Sequence, residues 1–119
     1  MTDPDRAAIT ADINAADVDL GVAQTLLHLE DAVAVEAATA LLFSVDRALR
    51  LLASAPDIDT ETARRVLSIR ADLSGHLLAA GALETAGAPA AGVARMLRRA
   101  AEIARAGLGV LAPVGAGRH

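Results

Sequence analysis

The chain has no cysteine, no lysine, no tryptophan and no tyrosine, and Phe43 is its one aromatic residue. Without cysteine there is no disulfide, no thiolate nucleophile and no thiolate metal ligand. Without lysine there is no Schiff-base chemistry and no phosphate-loop lysine. The missing aromatics remove a stacking platform for bases, and a net charge of −4 argues further against nucleic acid as a partner. No stretch approaches the roughly 18 consecutive apolar residues of a membrane span. The start, Met1-Thr2-Asp3-Pro4-Asp5, is acidic and unlike a signal peptide. These absences lead us to expect a soluble, cytoplasmic protein with neither a membrane nor a nucleic-acid partner. Every basic side chain other than histidine is arginine and alanine is abundant, which reads as the codon usage of a GC-rich, bacterial genome.

What is present is helix-forming. At 119 residues the chain is long enough for one domain with one core and no staples. Its hydrophobic fraction of 54% is mostly alanine and leucine, small or unbranched residues that favour helices. The alternating β-branched runs of strands are missing. The expected fold class is therefore all-α. It would be an up-and-down bundle of three long helices plus a shorter N-terminal helix, occupying residues 1–112 and followed by a flexible tail over residues 113–119.

The first helix is expected to start at Asp3-Pro4, a cap followed by proline in the first turn. Ile9, Ile13 and Ala16 share a face. Asn14, Asp17 and Asp19 offer places to break and recap, so this helix should end near Asn14. A second, unusually long helix would run from about Val18 to Ala53, closed by Pro56. Its apolar stripe is Ala23, Leu26, Leu27, Ala34, Ala37, Leu41, Val45 and Leu52, with Gln24, His28, Thr39, Asp46, Arg47 and Arg50 opposite. A kink near Glu30–Glu36 could hide in it, although no proline or glycine demands one. The third helix starts after the N-cap Asp59 and buries Val66, Ile69, Leu73, Leu77 and Ala80 before Gly87 ends it. The fourth runs from Pro89 to about Leu111. Val93, Met96, Leu97, Ala100, Ile103, Ala104 and Leu111 form one face, and Arg95, Arg98, Glu102 and Arg105 the other. Short connections at Ala55–Ile58 and Gly87–Ala88 favour antiparallel neighbours. At about 1.5 Å per residue the second helix would overhang its partners with an apolar side, which predicts a homodimer that covers it.

Glu30 stands out because it falls near the middle of that otherwise apolar stripe. A carboxylate there must be paired, protonated or used. The plainer alternatives are a rotated helix that leaves it at a rim, or a structural ion pair. Arg70, on the border of the third helix's apolar face, is the expected partner, since its fork suits a carboxylate; the plain alternative is an arginine reaching to solvent. His76 flanks the same face and Glu84 falls on its apolar side near the helix end. Glu30, Arg70 and His76 together are candidates for proton-transfer chemistry, with Glu84, Leu27, Leu73 and Leu77 as candidate ligand-binding residues. His28 with Asp31 and Asp72 with His76 are same-face pairs, but His28 and Asp31 fall on the polar side and the Glu-x-x-His pattern of di-iron bundles is absent. No metal and no cofactor is expected.

Two functional readings follow. In the first, an apolar small molecule is bound or transformed in an internal pocket, with Glu30 as acid/base or anchor and Arg70 and His76 orienting it. In the second, the chain is a non-catalytic interaction or assembly module. It would work through the exposed side of the second helix or the arginine face of the fourth. A third comes from resemblance. The stretch His76-Leu77-Leu78-Ala79-Ala80-Gly81, followed by Gly87-Ala88, is similar to the histidine helix of histidine phosphotransfer domains. That resemblance implies a signalling bundle with a phosphorylatable His76. Ala79 stands where the family carries lysine, and the glycines are one residue out of step.

Overall fold

The computed structural model describes residues 3–111, with side chains from Arg6 onward. Four α-helices account for nearly all of them: α1 (Asp3–Leu27), α2 (Ala32–Ala53), α3 (Thr60–Thr85) and α4 (Ala90–Leu111). There is no strand among the described residues, as the all-α expectation requires. None of these helices is long and apolar enough to cross a membrane. The expected tail at residues 113–119 lies outside the described residues, and Asp3, expected as the cap of the first helix, is the first residue of α1 itself.

The division of the first half differs from the sequence reading. The first helix does not stop near Asn14. It continues to Leu27, because Ile9, Ile13, Ala16, Leu20, Ala23 and Leu27 form one buried seam at alternating steps of three and four residues. The polar residues that suggested a break lie off this seam: Asn14 is exposed, and Asp17 and Asp19 are half-buried. The long second helix is likewise two elements. The chain turns at 28–31, where Glu30 takes the left-handed conformation at φ 55°. Asp31 then starts α2 as its N-cap, its carboxylate accepting a hydrogen bond from the Ala34 amide at 2.7 Å. With 25, 22, 26 and 22 residues the four helices are of similar length, so no helix overhangs the others. The overhang that motivated a homodimer is therefore absent.

The later boundaries follow the sequence closely. Asp59 caps α3 with its carboxylate on the Thr62 amide at 2.8 Å. Gly87, at φ 86°, supplies the left-handed residue after α3, a conformation that costs glycine little. On α3 the buried residues are the expected five: Val66, Ile69, Leu73, Leu77 and Ala80.

Each helix packs against its chain neighbours, α1 also packs along α4, and α2 touches α4 across the middle. Along the α1–α4 seam the contacts run in opposite chain order. Asp17 meets Arg105, whereas Leu27 and Glu30 meet Arg98. The core consists of leucine and valine knobs, among them Leu20, Leu27, Leu42, Leu49, Leu73, Leu97 and Leu108. Fully burying each such leucine contributes about 1.5–3 kcal/mol. Ala23, Ala38, Ala94, Ala100, Ala101 and Ala104 fill the close approaches between them. Among the described residues no polar or charged side chain is buried.

Candidate functional site

The residues expected to form one polar cluster are dispersed. Glu30 is not in a helix stripe but on the α1–α2 turn, its side chain about a third exposed (36%). Its partner is Arg98 on α4, at 3.1 Å, and not Arg70. The same Arg98 nitrogen donates to the Leu27 carbonyl at 3.2 Å, one of the carbonyls that the end of α1 leaves without a helical partner. Arg98 thus ties the turn to α4, and Glu30 neutralises it.

Arg70 on α3 donates through Nε to Asp46 on α2 at 3.1 Å. Asp46 keeps only 17% of its side-chain exposure, so the residue placed on the polar face of the second helix is the better-shielded half of an interhelix pair. His76 lies further along α3. Its Nδ1 stands 2.8 Å from the Asp72 carbonyl oxygen, which can only accept, so Nδ1 carries the proton and Nε2 the lone pair in the neutral ring. With Ala71, Asp72, Gly75, Ala79 and Met96 it lines a shallow groove between α3 and α4. Glu84 is exposed near the end of α3, on the rim of two grooves that α2 also lines. No hydrogen bond or ion pair among the described residues joins any two of Glu30, Arg70, His76 and Glu84. Leu27, Leu73 and Leu77, expected to line a pocket, are packed in the core.

Sequence reasoning did not find the most elaborate polar arrangement. Arg105 on α4 lies across α1, donating from Nε to Asp17 Oδ1 at 3.0 Å and from Nη2 to Asp17 Oδ2 at 3.2 Å. Its Nη1 donates to Gln24 Oε1 at 2.9 Å. The hydrogen bonds and charge of Asp17 raise the pKa of the Arg105 guanidinium above its usual value. Gly21, one turn from each α1 partner, makes room: a Cβ there would stand 3.2 Å from Arg105 Nη1. The spacing of Asp17, Gly21 and Gln24 on one helix face was the available signal. On the fourth helix Arg98 and Arg105 are thus engaged by partners, while Arg95 and Arg99 stay exposed.

The polar side chains that span helices thus act as clamps at seams: Asp17–Arg105, Glu30–Arg98 and Asp46–Arg70. No group of three potential metal ligands comes together among the described residues.

The outer face of α2 is different in kind. Phe43, the single aromatic, is 53% exposed, and Val33 and Leu51 are 78% and 64% exposed. Ala37, Ala40, Ser44 and Ala48 lie exposed between them. A groove lined by Ala32, Val33, Glu36, Thr39, Ala40, Phe43 and Glu84 runs beside this face. Glu36, Arg47 and Arg50 flank it, and none of the three has an ion-pair partner within the described residues. No family model matches this chain, and no curated protein and no solved structure matches it either.

Proposed function

We propose that this chain is a non-catalytic interaction or assembly module, an up-and-down four-helix bundle that presents the outer face of α2 to a protein partner. The observation that carries this reading is the exposure of Phe43 between Val33 and Leu51 on one helix face. A bundle that buries leucine, valine and alanine so completely has left its largest apolar side chain outside. Exposed apolar side chains also stand on α1 (Val18, Val22), the 28–31 turn (Leu29), α3 (Leu67, Leu78) and α4 (Val110), but the α2 face carries three, the aromatic ring included, beside a groove, as a protein-binding surface requires.

The internal-pocket reading has less support. The carboxylate it would use is held by Arg98, and the leucines it would use as lining are packed against their neighbours. The histidine-phosphotransfer reading keeps a partly exposed His76 and gains no further feature of that family.

The experiment is site-specific photocrosslinking. A photoreactive residue replaces Phe43 in one variant and Leu78 in another, and both are irradiated in the cells that make the protein natively. Leu78 is the control because it is 75% exposed on α3. The expected result is a discrete protein adduct from position 43 and none from position 78. Absence of any adduct at 43, or equal labelling at both positions, rejects the reading.

A further inference from the structure

We propose that the occupant of the α2 face is a second copy of this chain, paired antiparallel along α2 about a two-fold axis at the level of Leu42. The inference rests on the interaction-module reading and adds the partner and its register.

At about 100° per residue, Val33, Ala40, Ser44 and Leu51 fall close to one outward line on α2. Glu36, Phe43, Arg47 and Arg50 fall along one edge of it, on the side that faces the groove rimmed by Glu84. Buried Leu42 and Leu49 point the opposite way, which fixes this line as the outer one.

A two-fold axis between antiparallel helices keeps each edge on its own side, so residues of this edge meet the same edge of the second copy. With the axis level with Leu42, Val33 stands opposite Leu51 of the second copy, and Ala40 opposite Ser44. Alanine and serine at the crossing let the helices approach closely. Glu36 then falls between Arg47 and Arg50 of the second copy, offset from Arg47 by about 1.5 Å along the axis. The relation repeats on the other half of the interface. The two Phe43 rings come together across the axis, in reach of an aromatic pair.

The charges decide both the orientation and the partner. A parallel pairing would swap the edges and set Glu36, Arg47 and Arg50 against the uncharged edge of Ala37 and Ala48, leaving all three without an opposite charge. The antiparallel pairing gives each of these three unpartnered side chains an opposite charge, and the complement is supplied by the chain's own sequence. The other acid–arginine pairs across helices are already closed inside the bundle. A single helix face is smaller than the roughly 800 Å² per partner of a standard interface, so the dimer is expected to be weak and the test reaches high concentration.

The test is sedimentation equilibrium of the purified full chain up to about 200 µM, with circular dichroism to confirm that each variant is folded. All substituted positions are exposed, which keeps the bundle out of the comparison. The wild type should show a monomer–dimer equilibrium. Arg47→Glu should weaken it at least about tenfold, by placing a carboxylate against Glu36 twice. The exchange variant Glu36→Arg/Arg47→Glu should recover most of the wild-type association. Leu78→Glu should leave it unchanged. A wild type that stays monomeric overturns the proposal, and so does an Arg47→Glu variant that dimerises as tightly as wild type. A monomeric wild type that still gives an adduct with a different protein at position 43 also overturns self-pairing, while the interaction-module reading survives. Absence of both dimer and adduct removes the two together.

Discussion

Gly107 on α4 gives up its side chain to Ile69 on α3: a Cβ at position 107 would stand 2.7 Å from Ile69 Cγ1 and 2.9 Å from Cδ1. The contact is with the stem of a β-branched residue that is itself almost wholly buried, so it cannot simply swing aside.

Gly107→Ala should therefore destabilise the bundle. Overpacking costs about 1–3 kcal/mol, and the gain in helix propensity returns up to about 1 kcal/mol of that. Gly75, in the second half of α3, and Gly81, near its end, have nothing within 4 Å of an added Cβ. Gly75→Ala and Gly81→Ala should each stabilise by roughly 0.5–1 kcal/mol. In an Ile69→Ala background the sign at position 107 should reverse, because the clashing atoms are gone. Urea denaturation of the three alanine variants and the double variant checks the set. Equal stabilities for Gly107→Ala and Gly75→Ala would reject the close-contact account.

Glu30 and Arg98 give a second prediction, from the strain at the α1–α2 turn. A non-glycine residue at φ 55° costs about 1–2 kcal/mol relative to helical backbone. Glu30→Ala keeps that cost and loses the ion pair with Arg98. Glu30→Gly loses the ion pair and removes the strain. The glycine variant should thus be the more stable of the two, by about 1 kcal/mol. Glu30→Gln keeps the backbone and removes only a partly exposed ion pair, so its cost should stay below about 1 kcal/mol. Arg98→Ala should cost more than Glu30→Gln, since it also removes one of the two donors to the Leu27 carbonyl and leaves only the Glu30 amide at 3.3 Å. Denaturation midpoints test the order, and a glycine variant less stable than the alanine variant would contradict it.

This turn is also where the sequence misled. A single phase of about 100° per residue, continued from α1 past Leu27, placed Glu30, Ala37 and Leu41 on the core stripe. The buried seam of α2 keeps the expected Ala34, Val45 and Leu52 but is completed by Val35, Ala38, Leu42 and Leu49. Val35 lies one residue past the heptad step from Leu27, and that slip of phase was the legible sign of a break without glycine or proline. Glu30 looked like a core carboxylate only because the wrong phase was continued through it. Where phase was unbroken, as in α3, the core residues and the Asp59 cap could be read directly. The ion pairs were less legible. Asp46–Arg70 and Asp17–Arg105 join residues far apart in the chain, and which of the many carboxylates each arginine meets depends on the rotation of two helices at once.

Asp59 supplies a prediction about pH. Its carboxylate accepts hydrogen bonds from the Thr62 amide at 2.8 Å and the Thr62 hydroxyl at 3.0 Å. These bonds, the amide first, hold its pKa below the ordinary aspartate value of 3.8. A carboxylate whose pKa is lower folded than unfolded contributes stability that is fully present above the ordinary value. That contribution fades as pH falls below 3.8 and through the folded value. The Asp59→Asn variant would still cap α3, because a side-chain amide oxygen accepts the same backbone hydrogen bond, and it does not titrate. The stability of wild type minus that of Asp59→Asn should therefore be flat near neutral pH and fall as the solution is acidified. Thermal midpoints of both proteins over roughly pH 2 to 7 measure it. A difference that stays constant, or grows in acid, would show that Asp59 is not held by Thr62 in the way the structure describes.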